Sequence, residues 1–258
     1  MEKLYFKLGK KLKFLPTSPL FDLMHTLHLD KTYLKIKFSK YLQDYSEGIT
    51  EIVNYSMNNY RKIQPGIAPY ELEFMIKKID ETKKINGDIL ELGTHKGGTS
   101  ILFAKYLQKI NDSRMVFTVD WFKGLPYSDE YGTTEEKKPA QNRLADTSKD
   151  FVENKFRSFN VSEKINIVEG LFEDVLYEKL DNKKFSFVFI DCDLYKSAKF
   201  ALEYVYEHLD ECGIVCIHDY SNYMNRPKYD WGIIKATNEF KEKYNIKFEE
   251  NPLAHFTK

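Results

Sequence analysis

The sequence predicts an α/β fold in which an open, mostly parallel β-sheet is flanked by helices and ends in an antiparallel hairpin. From about residue 87, short apolar runs rich in β-branched and aromatic residues alternate with amphipathic stretches, which is the pattern of a sheet wrapped by helices. The chain has 258 residues, enough to bury one sizeable core and little more. One domain with appendages is therefore the expected organisation.

The individual elements follow from the same alternation. Five apolar runs predict parallel strands: Ile89–Leu92, Met115–Val119, Ile165–Val168, Phe185–Ile190 and Ile214–Ile217. Two further strands are predicted in the tail, Ile246–Glu249 and Leu253–Phe256, around a turn at Asn251-Pro252. Helices are predicted over Tyr70–Lys84, Thr99–Ile110, Thr147–Phe159, Lys196–Leu209 and Ile233–Tyr244. Because ligands of open α/β sheets bind beyond the carboxyl ends of the strands, polar residues at those ends are the functional candidates.

The first part of the chain differs from the rest in charge. Residues 1–64 are predicted to form a mostly helical N-terminal accessory region, and 65–258 the main domain. Residues 1–43 contain nine lysines against Glu2, Asp22 and Asp30, a segment charge of +6. Either a basic amphipathic helix that rests on a membrane or on a partner, or a plain surface helix of the accessory region, fits this composition. No signal peptide is predicted, because lysines interrupt every apolar run at the start of the chain. No transmembrane segment is predicted, because no stretch approaches the roughly 20 apolar residues that a span requires.

The whole chain carries no excess charge. Lys plus Arg and Asp plus Glu each number 39, so no nucleic-acid partner is expected. The three cysteines, Cys192, Cys212 and Cys216, lie in or beside predicted strands at a spacing that matches no zinc motif. They predict buried thiols in a reduced, cytoplasmic protein. Homo-oligomer formation is left open.

One long connection resists assignment to regular structure. Residues 123–146 form a 24-residue segment rich in Gly, Pro, Ser, Thr and Glu between a strand and a helix. A connection of this length is usually either a functional lid or disordered. The segment is interpreted as a lid over the substrate.

A glycine-rich turn follows the first strand. Glu91-Leu92-Gly93 continues through Thr94-His95-Lys96-Gly97-Gly98 into Thr99-Ser100 and a helix. Glycines allow the backbone to approach a ligand closely, although such a turn is weak evidence alone. The spacing is neither the dinucleotide fingerprint G-x-G-x-x-G nor a P-loop.

Acidic residues follow the second and third strands. Asp120, at the tip of the second strand, is placed to accept hydrogen bonds from ribose hydroxyls, or else caps a turn. After the third strand, Glu173 and Asp174 could receive an adenine amino group while Phe172 packs on the ring. The competing interpretation is a helix N-terminus that favours acidic residues.

The fourth and fifth strands bring four polar groups to one edge. These are Asp191, Asp193, His218 and Asp219. Carboxylates with an imidazole suit a divalent cation such as Mg²⁺ or Mn²⁺. Alternatively, the group forms a hydrogen-bonded network that holds loops together.

Taken together, these motifs resemble the class I S-adenosylmethionine (SAM)-dependent methyltransferases, and more narrowly the macrocin O-methyltransferase family, which acts on sugar hydroxyls of macrolides and related glycosides. The resemblance covers roughly residues 65–245. It rests on the run from Glu91 to Ser100, Asp120-Trp121-Phe122-Lys123-Gly124-Leu125-Pro126, Gly170-Leu171-Phe172-Glu173-Asp174, Asp191-Cys192-Asp193-Leu194-Tyr195-Lys196-Ser197 and His218-Asp219-Tyr220.

The resemblance implies a Rossmann-like methyltransferase sheet and a set of ligand contacts. The turn from Gly93 to Gly97 would approach the methionine part of SAM, Asp120 would hold the ribose, and Glu173 would lie near the adenine. The full set of expected cofactor-binding residues is Glu91, Gly93, Gly97, Thr99, Ser100, Asp120, Trp121, Phe172, Glu173 and Asp191. The family binds Mg²⁺ through a residue matching Asp191 and through an Asp-Asp pair, for which this chain has His218-Asp219.

The expected activity is transfer of a methyl group from SAM to a hydroxyl of a sugar, either nucleotide-linked, in a glycan or in a glycoside. Asp191 and His218 are the candidate catalytic residues, and Asp191, His218 and Asp219 the candidate metal ligands. An alcohol needs a base or a metal before it attacks, and a histidine of unperturbed pKa suits neutral pH. Two other functions are considered: a non-catalytic SAM-fold binding module and an NAD-dependent oxidoreductase.

Overall fold

A computed structural model describes residues 46–128, 143–220 and 232–258. The basic segment of residues 1–43 lies outside these ranges, and so does most of the predicted lid, residues 129–142. The predictions of an N-terminal surface helix, of membrane-surface contact and of a lid therefore fall mainly on residues that are not described. None of the helices in the described ranges combines the length and apolar composition that crossing a membrane requires.

Six strands form one mixed sheet in the order β3-β2-β1-β4-β5-β6. Neighbours from β3 to β5 run parallel, as predicted, and β6 pairs antiparallel with β5. Their bounds are β1 Asp88–Leu92, β2 Val116–Asp120, β3 Ile165–Glu169, β4 Phe185–Ile190, β5 Leu209–Ile217 and β6 Ala254–Thr257. The order places β1 and β4 at the centre, which explains why every residue of these two strands except Asp88 is buried.

The predicted C-terminal hairpin is shorter than expected. Its first strand, Ile246–Glu249, is reduced to a single bridge between Glu249 and His255, which exchange backbone hydrogen bonds of 2.9 and 2.8 Å. The preceding helix explains this, because the amide of Ile246 still donates to the carbonyl of Lys241 at its end. The antiparallel partner of β6 is therefore β5.

Helices cover both faces of the sheet. They are α1 Glu47–Asn58, α2 Tyr60–Ile63, α3 Pro69–Glu81, α4 Gly98–Lys109, α5 Lys149–Ser158, α6 Phe172–Leu180, α7 Tyr195–His208 and α8 Gly232–Tyr244, with a 3₁₀ turn at Ser162–Lys164. One core contains residues of α1 to α5, and the other contains residues of α6 to α8. Ile49 and Ile52, from the region predicted to be accessory, are buried in the same core as Phe187 of β4.

The sheet and α3 are joined by a buried cation at the start of β2. Arg114 is 8% exposed and pairs with Asp112 through Nη2 at 2.7 Å. Its Nη1 donates to the carbonyl of Thr82 and the hydroxyl of Ser186, at 3.2 and 2.9 Å. This network holds the end of the helix against the beginning of β4.

The cysteines are only partly as predicted. All three thiols are unpaired, and Cys216 is buried in the sheet. Cys192 is half-buried, and Cys212 is exposed near the start of β5, where the strand has not yet entered the core.

Candidate active site

A cavity of about 430 Å³ lies beyond the carboxyl ends of β1, β2, β4 and β5. In open α/β sheets, ligands bind at this edge, where the strand order reverses direction, here between β1 and β4. Of the residues predicted to bind cofactor or metal, eight line it: Gly93, Asp120, Trp121, Phe172, Glu173, Asp191, His218 and Asp219. The other four, Glu91, Gly97, Thr99 and Ser100, do not line it.

The glycines of the turn are required by the protein chain itself. Gly93 has φ of 99°, and an added Cβ would overlap the carbonyl oxygen of Asp191 on the next strand. Gly97 has φ of 71°, and an added Cβ would come within 2.6 Å of the Phe156 ring. The sequence predicted that glycine is needed here to leave room for a ligand. In the structure it is needed because a Cβ would collide with neighbouring atoms of the protein itself. A larger residue at Gly93 would disturb the strand ends before it tested ligand binding.

Asp120 organises the turn above it. Its Oδ2 accepts hydrogen bonds from the amides of Thr94 and His95, at 2.8 and 2.7 Å. Its Oδ1 accepts one from the amide of Phe122 at 2.6 Å. A carboxylate offers about four lone-pair sites. Three are used by the backbone, so one site remains for a ligand.

Three of the four residues that miss the wall form a buried layer beneath it. Glu91 is 1% exposed and accepts hydrogen bonds from the hydroxyls of Ser100 and Thr118. Burial raises the pKa of the Glu91 carboxyl to about 8, so it is neutral below that pH. The Thr99 hydroxyl donates to the carbonyl of Pro65 at 2.8 Å. These side chains shape the turn, and direct contact with a ligand is not supported for them.

The other end of the cavity is aromatic and charged. Trp121 and Phe172 line it, and the ammonium of Lys123 lies 4.4 Å from the Trp121 ring centroid. Glu173 forms an ion pair of 3.0 Å with Lys196, whose side chain is 66% exposed. An exposed pair of this kind is weak, so Glu173 can exchange its partner for a ligand donor.

The predicted polar cluster is assembled in the structure. His218 is 8% exposed, and its Nδ1 lies 3.0 Å from Oδ1 of Asp191 and 2.9 Å from Oδ2 of Asp219. One ligand atom from each of these three residues falls within 4.8 Å of the others. Asp193 lines the same cavity but is not part of this triplet. The described residues thus offer two carboxylates and one imidazole to a cation.

The electrostatics of His218 differ from the expectation of an unperturbed imidazole. Burial lowers the pKa of His218, but the carboxylates of Asp191 and Asp219 more than offset this and raise it well above its ordinary value. The two carboxylates therefore favour the protonated form of the ring, whose charge compensates theirs. A protonated imidazole is a poor general base.

A third carboxylate, missed by sequence analysis, lies behind the ring. Glu71 of α3 is 3% exposed, and its Oε2 is 3.8 Å from Nε2 of His218. The same oxygen accepts a hydrogen bond of 2.7 Å from the amide of Ala68, and this bond caps the N-terminus of α3. Nε2 of His218 is buried and has no hydrogen-bond partner in the part of the chain that the structure describes. The sequence contains only the Glu of a capping box, because the N-cap residue is Ala68, and the proximity of Glu71 to His218 has no sequence signal.

Further residues of the wall were not among the predicted site residues. His95 lines the cavity, and its Nε2 pairs with Asp146 at 2.8 Å. Leu125 and Arg143 also line it, joined by a backbone hydrogen bond of 3.1 Å. Leu125 belongs to a motif quoted above, whereas Arg143 lies in a segment without a recognisable pattern.

The strand ends hold unusual backbone conformations. His95, Asp193 and Asp219 line the cavity with φ of 46°, 56° and 58°. Non-glycine residues in this left-handed region are strained and cluster at functional sites. The surrounding contacts hold them there and so fix the directions of their side chains.

The sheet order and the cavity at the strand ends define a class I methyltransferase fold. The O-methyltransferase NovP has a similar structure, with a TM-score of 0.59 and 25% identity over 72% of this chain and 76% of that one. The calicheamicin methyltransferase CalS11 has a TM-score of 0.61 over 85% of this chain and 96% of that one. At 17% identity, the likeness to CalS11 concerns the fold alone.

The chain belongs to the macrocin O-methyltransferase (TylF) family, whose model matches residues 53–255. Its sequence is also similar to 8-demethyl-8-(2,3-dimethoxy-α-L-rhamnosyl)-tetracenomycin-C 4'-O-methyltransferase of Streptomyces olivaceus. The two are 28% identical over 142 residues, which cover 53% of this chain and 54% of that protein. The match thus spans about half the length of that relative.

Proposed function

We propose that this protein is a SAM-dependent O-methyltransferase whose acceptor is a hydroxyl of a sugar, in a nucleotide-linked sugar, a glycan or a glycoside. The observation that carries the proposal is the cavity in which the Asp120 turn and the Asp191–His218–Asp219 cluster meet. Family membership and the sugar named in the relative's activity support the acceptor class. The three unpaired thiols agree with a cytoplasmic setting, and polysaccharide or glycoside biosynthesis is the proposed context.

We assign the cofactor to the part of the cavity between Gly93 and Glu173. Asp120 has one lone-pair site for a ribose hydroxyl. Trp121 and Phe172 supply apolar surface for the adenine, and Glu173 accepts a hydrogen bond from the adenine amino group. Glu91, Gly97, Thr99 and Ser100 act from below by shaping the turn. Holding the donor and the acceptor hydroxyl in line supplies much of the rate of such a transfer.

A divalent cation fits the polar cluster. The carboxylates of Asp191 and Asp219 are hard donors and the imidazole of His218 is a borderline donor, a set that suits Mg²⁺ or Mn²⁺. The negative charge of the two carboxylates, which favours a proton on His218, would then be balanced by the cation. When bound, the cation would lower the pKa of the acceptor hydroxyl. The partnerless Nε2 of His218, facing Glu71, resembles the outer nitrogen of a metal-ligating histidine, which normally donates to a carboxylate.

The second candidate mechanism uses no cation. Since His218 carries its proton, Asp191 is then the group that accepts the proton of the acceptor hydroxyl. Its side chain is 28% exposed and lines the cavity, so the acceptor can reach it. His218 would hold the carboxylate in position and stabilise its charge.

The test is turnover of SAM to S-adenosylhomocysteine with a panel of nucleotide-linked sugars and glycosides. We expect acceptor-dependent product with at least one sugar and none in its absence. Tight SAM binding without turnover on any acceptor would support the non-catalytic binding module. Preference for NAD over SAM in a thermal-shift panel would instead indicate the oxidoreductase.

A further inference from the structure

A second concave surface lies on the face of the domain formed by α1, α2, α4 and α5. It is a groove of about 710 Å³, within the size range of small-molecule sites, and it shares no lining residue with the strand-end cavity. Its wall contains Lys62, Lys105 and Lys155 and no carboxylate. In a chain with 39 basic and 39 acidic residues, this wall creates a local positive field.

No acidic residue of the described ranges forms an ion pair with a lysine of the groove. Within the described ranges, Lys62 and Lys105 form no ion pair, whereas Lys109, one turn further along α4, pairs with Glu51 at 2.6 Å. Lys155 is 8% exposed and donates to two carbonyl oxygens, of Ile63 at 2.6 Å and of Lys96 at 2.8 Å. Carbonyls satisfy its hydrogen bonds but do not neutralise its charge.

The burial of Lys155 also indicates that its charge has no partner among the described residues. It lowers the pKa of the ammonium to about 8, and the nearby Lys96 adds to the shift. An anion in the groove would relieve this cost, because an opposite charge favours the protonated form.

The groove also offers aromatic surface. Phe151 is 44% exposed, and the ammonium of Lys155 lies 5.8 Å from its ring centroid. Tyr55 and Phe159 line the same wall. An exposed ring beside ammonium groups suits a ligand that has a flat apolar part and a negatively charged part.

We propose that this groove binds a nucleoside diphosphate, with the base against Phe151 and the phosphates among Lys62, Lys105 and Lys155. Three ammonium groups match the charge of a diphosphate. The Phe151 ring contacts the base, and an inorganic anion has no such group and gains no affinity from the ring. The site is separate from that of the methyl donor and does not depend on the proposed methyl transfer.

The experiment is calorimetric titration of the full chain with ADP, inorganic pyrophosphate and adenosine, in the presence of S-adenosylhomocysteine. We expect ADP to bind at least tenfold more tightly than adenosine or pyrophosphate, with affinity falling as salt is raised. The double variant Lys62→Gln, Lys105→Gln should bind ADP at least tenfold more weakly. The matched control is Lys109→Gln, on the same helix but already paired, which should bind within twofold of the wild type.

Equal ADP affinity in the double variant and the wild type would overturn the proposal and place any bound nucleotide elsewhere, for example in the acceptor part of the strand-end cavity. The absence of ADP binding at millimolar concentration would overturn it too. Pyrophosphate binding as tight as ADP would remove the role of Phe151 and reduce the groove to a site for inorganic anions. Thermal unfolding of each variant checks that it is folded.

Discussion

Replacing Asp120 by Asn tests the cofactor assignment at one carboxylate. Three of its lone-pair sites are filled by the amides of Thr94, His95 and Phe122, at 2.6 to 2.8 Å. An Asn can keep its amide oxygen towards Thr94 and His95 only by turning its NH₂ group towards the Phe122 amide. The variant therefore loses the Phe122 bond and the one acceptor site that faced the ligand.

The size of the effect follows from that count. A hydrogen bond to a charged group contributes about 1.5–3 kcal/mol. The loss of one such bond to a ribose hydroxyl corresponds to a roughly 10- to 100-fold rise in the Kd for SAM. Two ribose hydroxyls on the same carboxylate would give a larger loss, but only one site is free.

The assay is calorimetric titration with SAM and S-adenosylhomocysteine on protein shown to be folded by thermal unfolding. Glu169→Gln is the matched control, because Glu169 pairs in register with Asp120 on β3, is exposed and does not line the cavity. It should bind both ligands within twofold of the wild type. SAM affinity within twofold of the wild type in folded Asp120→Asn would refute the assignment of Asp120 to the ribose.

Three other predictions follow from the buried and clustered charges. The carboxyl of Glu91 has a pKa of about 8 against an ordinary 4.5, so the folded state binds more protons than the unfolded state between these values, and stability falls as pH rises through that window. Relative to Glu91→Gln, the wild type should lose roughly 1.4 kcal/mol per pH unit there, measured by denaturant unfolding; parallel curves would contradict this. Arg114→Met should lower the free energy of unfolding by about 3–5 kcal/mol because Asp112 is left buried and unpaired, whereas Arg157→Met, on an exposed side chain, should change it by under about 1 kcal/mol. If a cation assists the transfer, EDTA should stop turnover, and Asp191→Asn should weaken Mn²⁺ binding at least tenfold; full activity in EDTA would leave Asp191 as the base.

Much of the fold could be predicted because the apolar pattern is local. The strand Phe185–Ile190 is buried on both faces, so all its residues except Ser186 are apolar, and its bounds match the prediction. Where two local preferences compete, the prediction was less accurate. Residues Ile246–Glu249 have the composition of a strand, but the amide of Ile246 donates its hydrogen bond to Lys241 at the end of α8. Only the bridge between Glu249 and His255 remains of the predicted strand.

By itself, the sequence determined the class of the sheet, the strand ends at which polar residues gather, and the family to which their order points. Those properties depend on residue type and spacing along the chain. Only the tertiary structure decided that Glu91, Thr99 and Ser100 lie beneath the cavity, that Asp120 has a single free acceptor site, and that Asp191 and Asp219 raise the pKa of His218. These properties depend on which atoms of distant segments come within a few ångströms, and both burial and Coulomb interactions act through those distances.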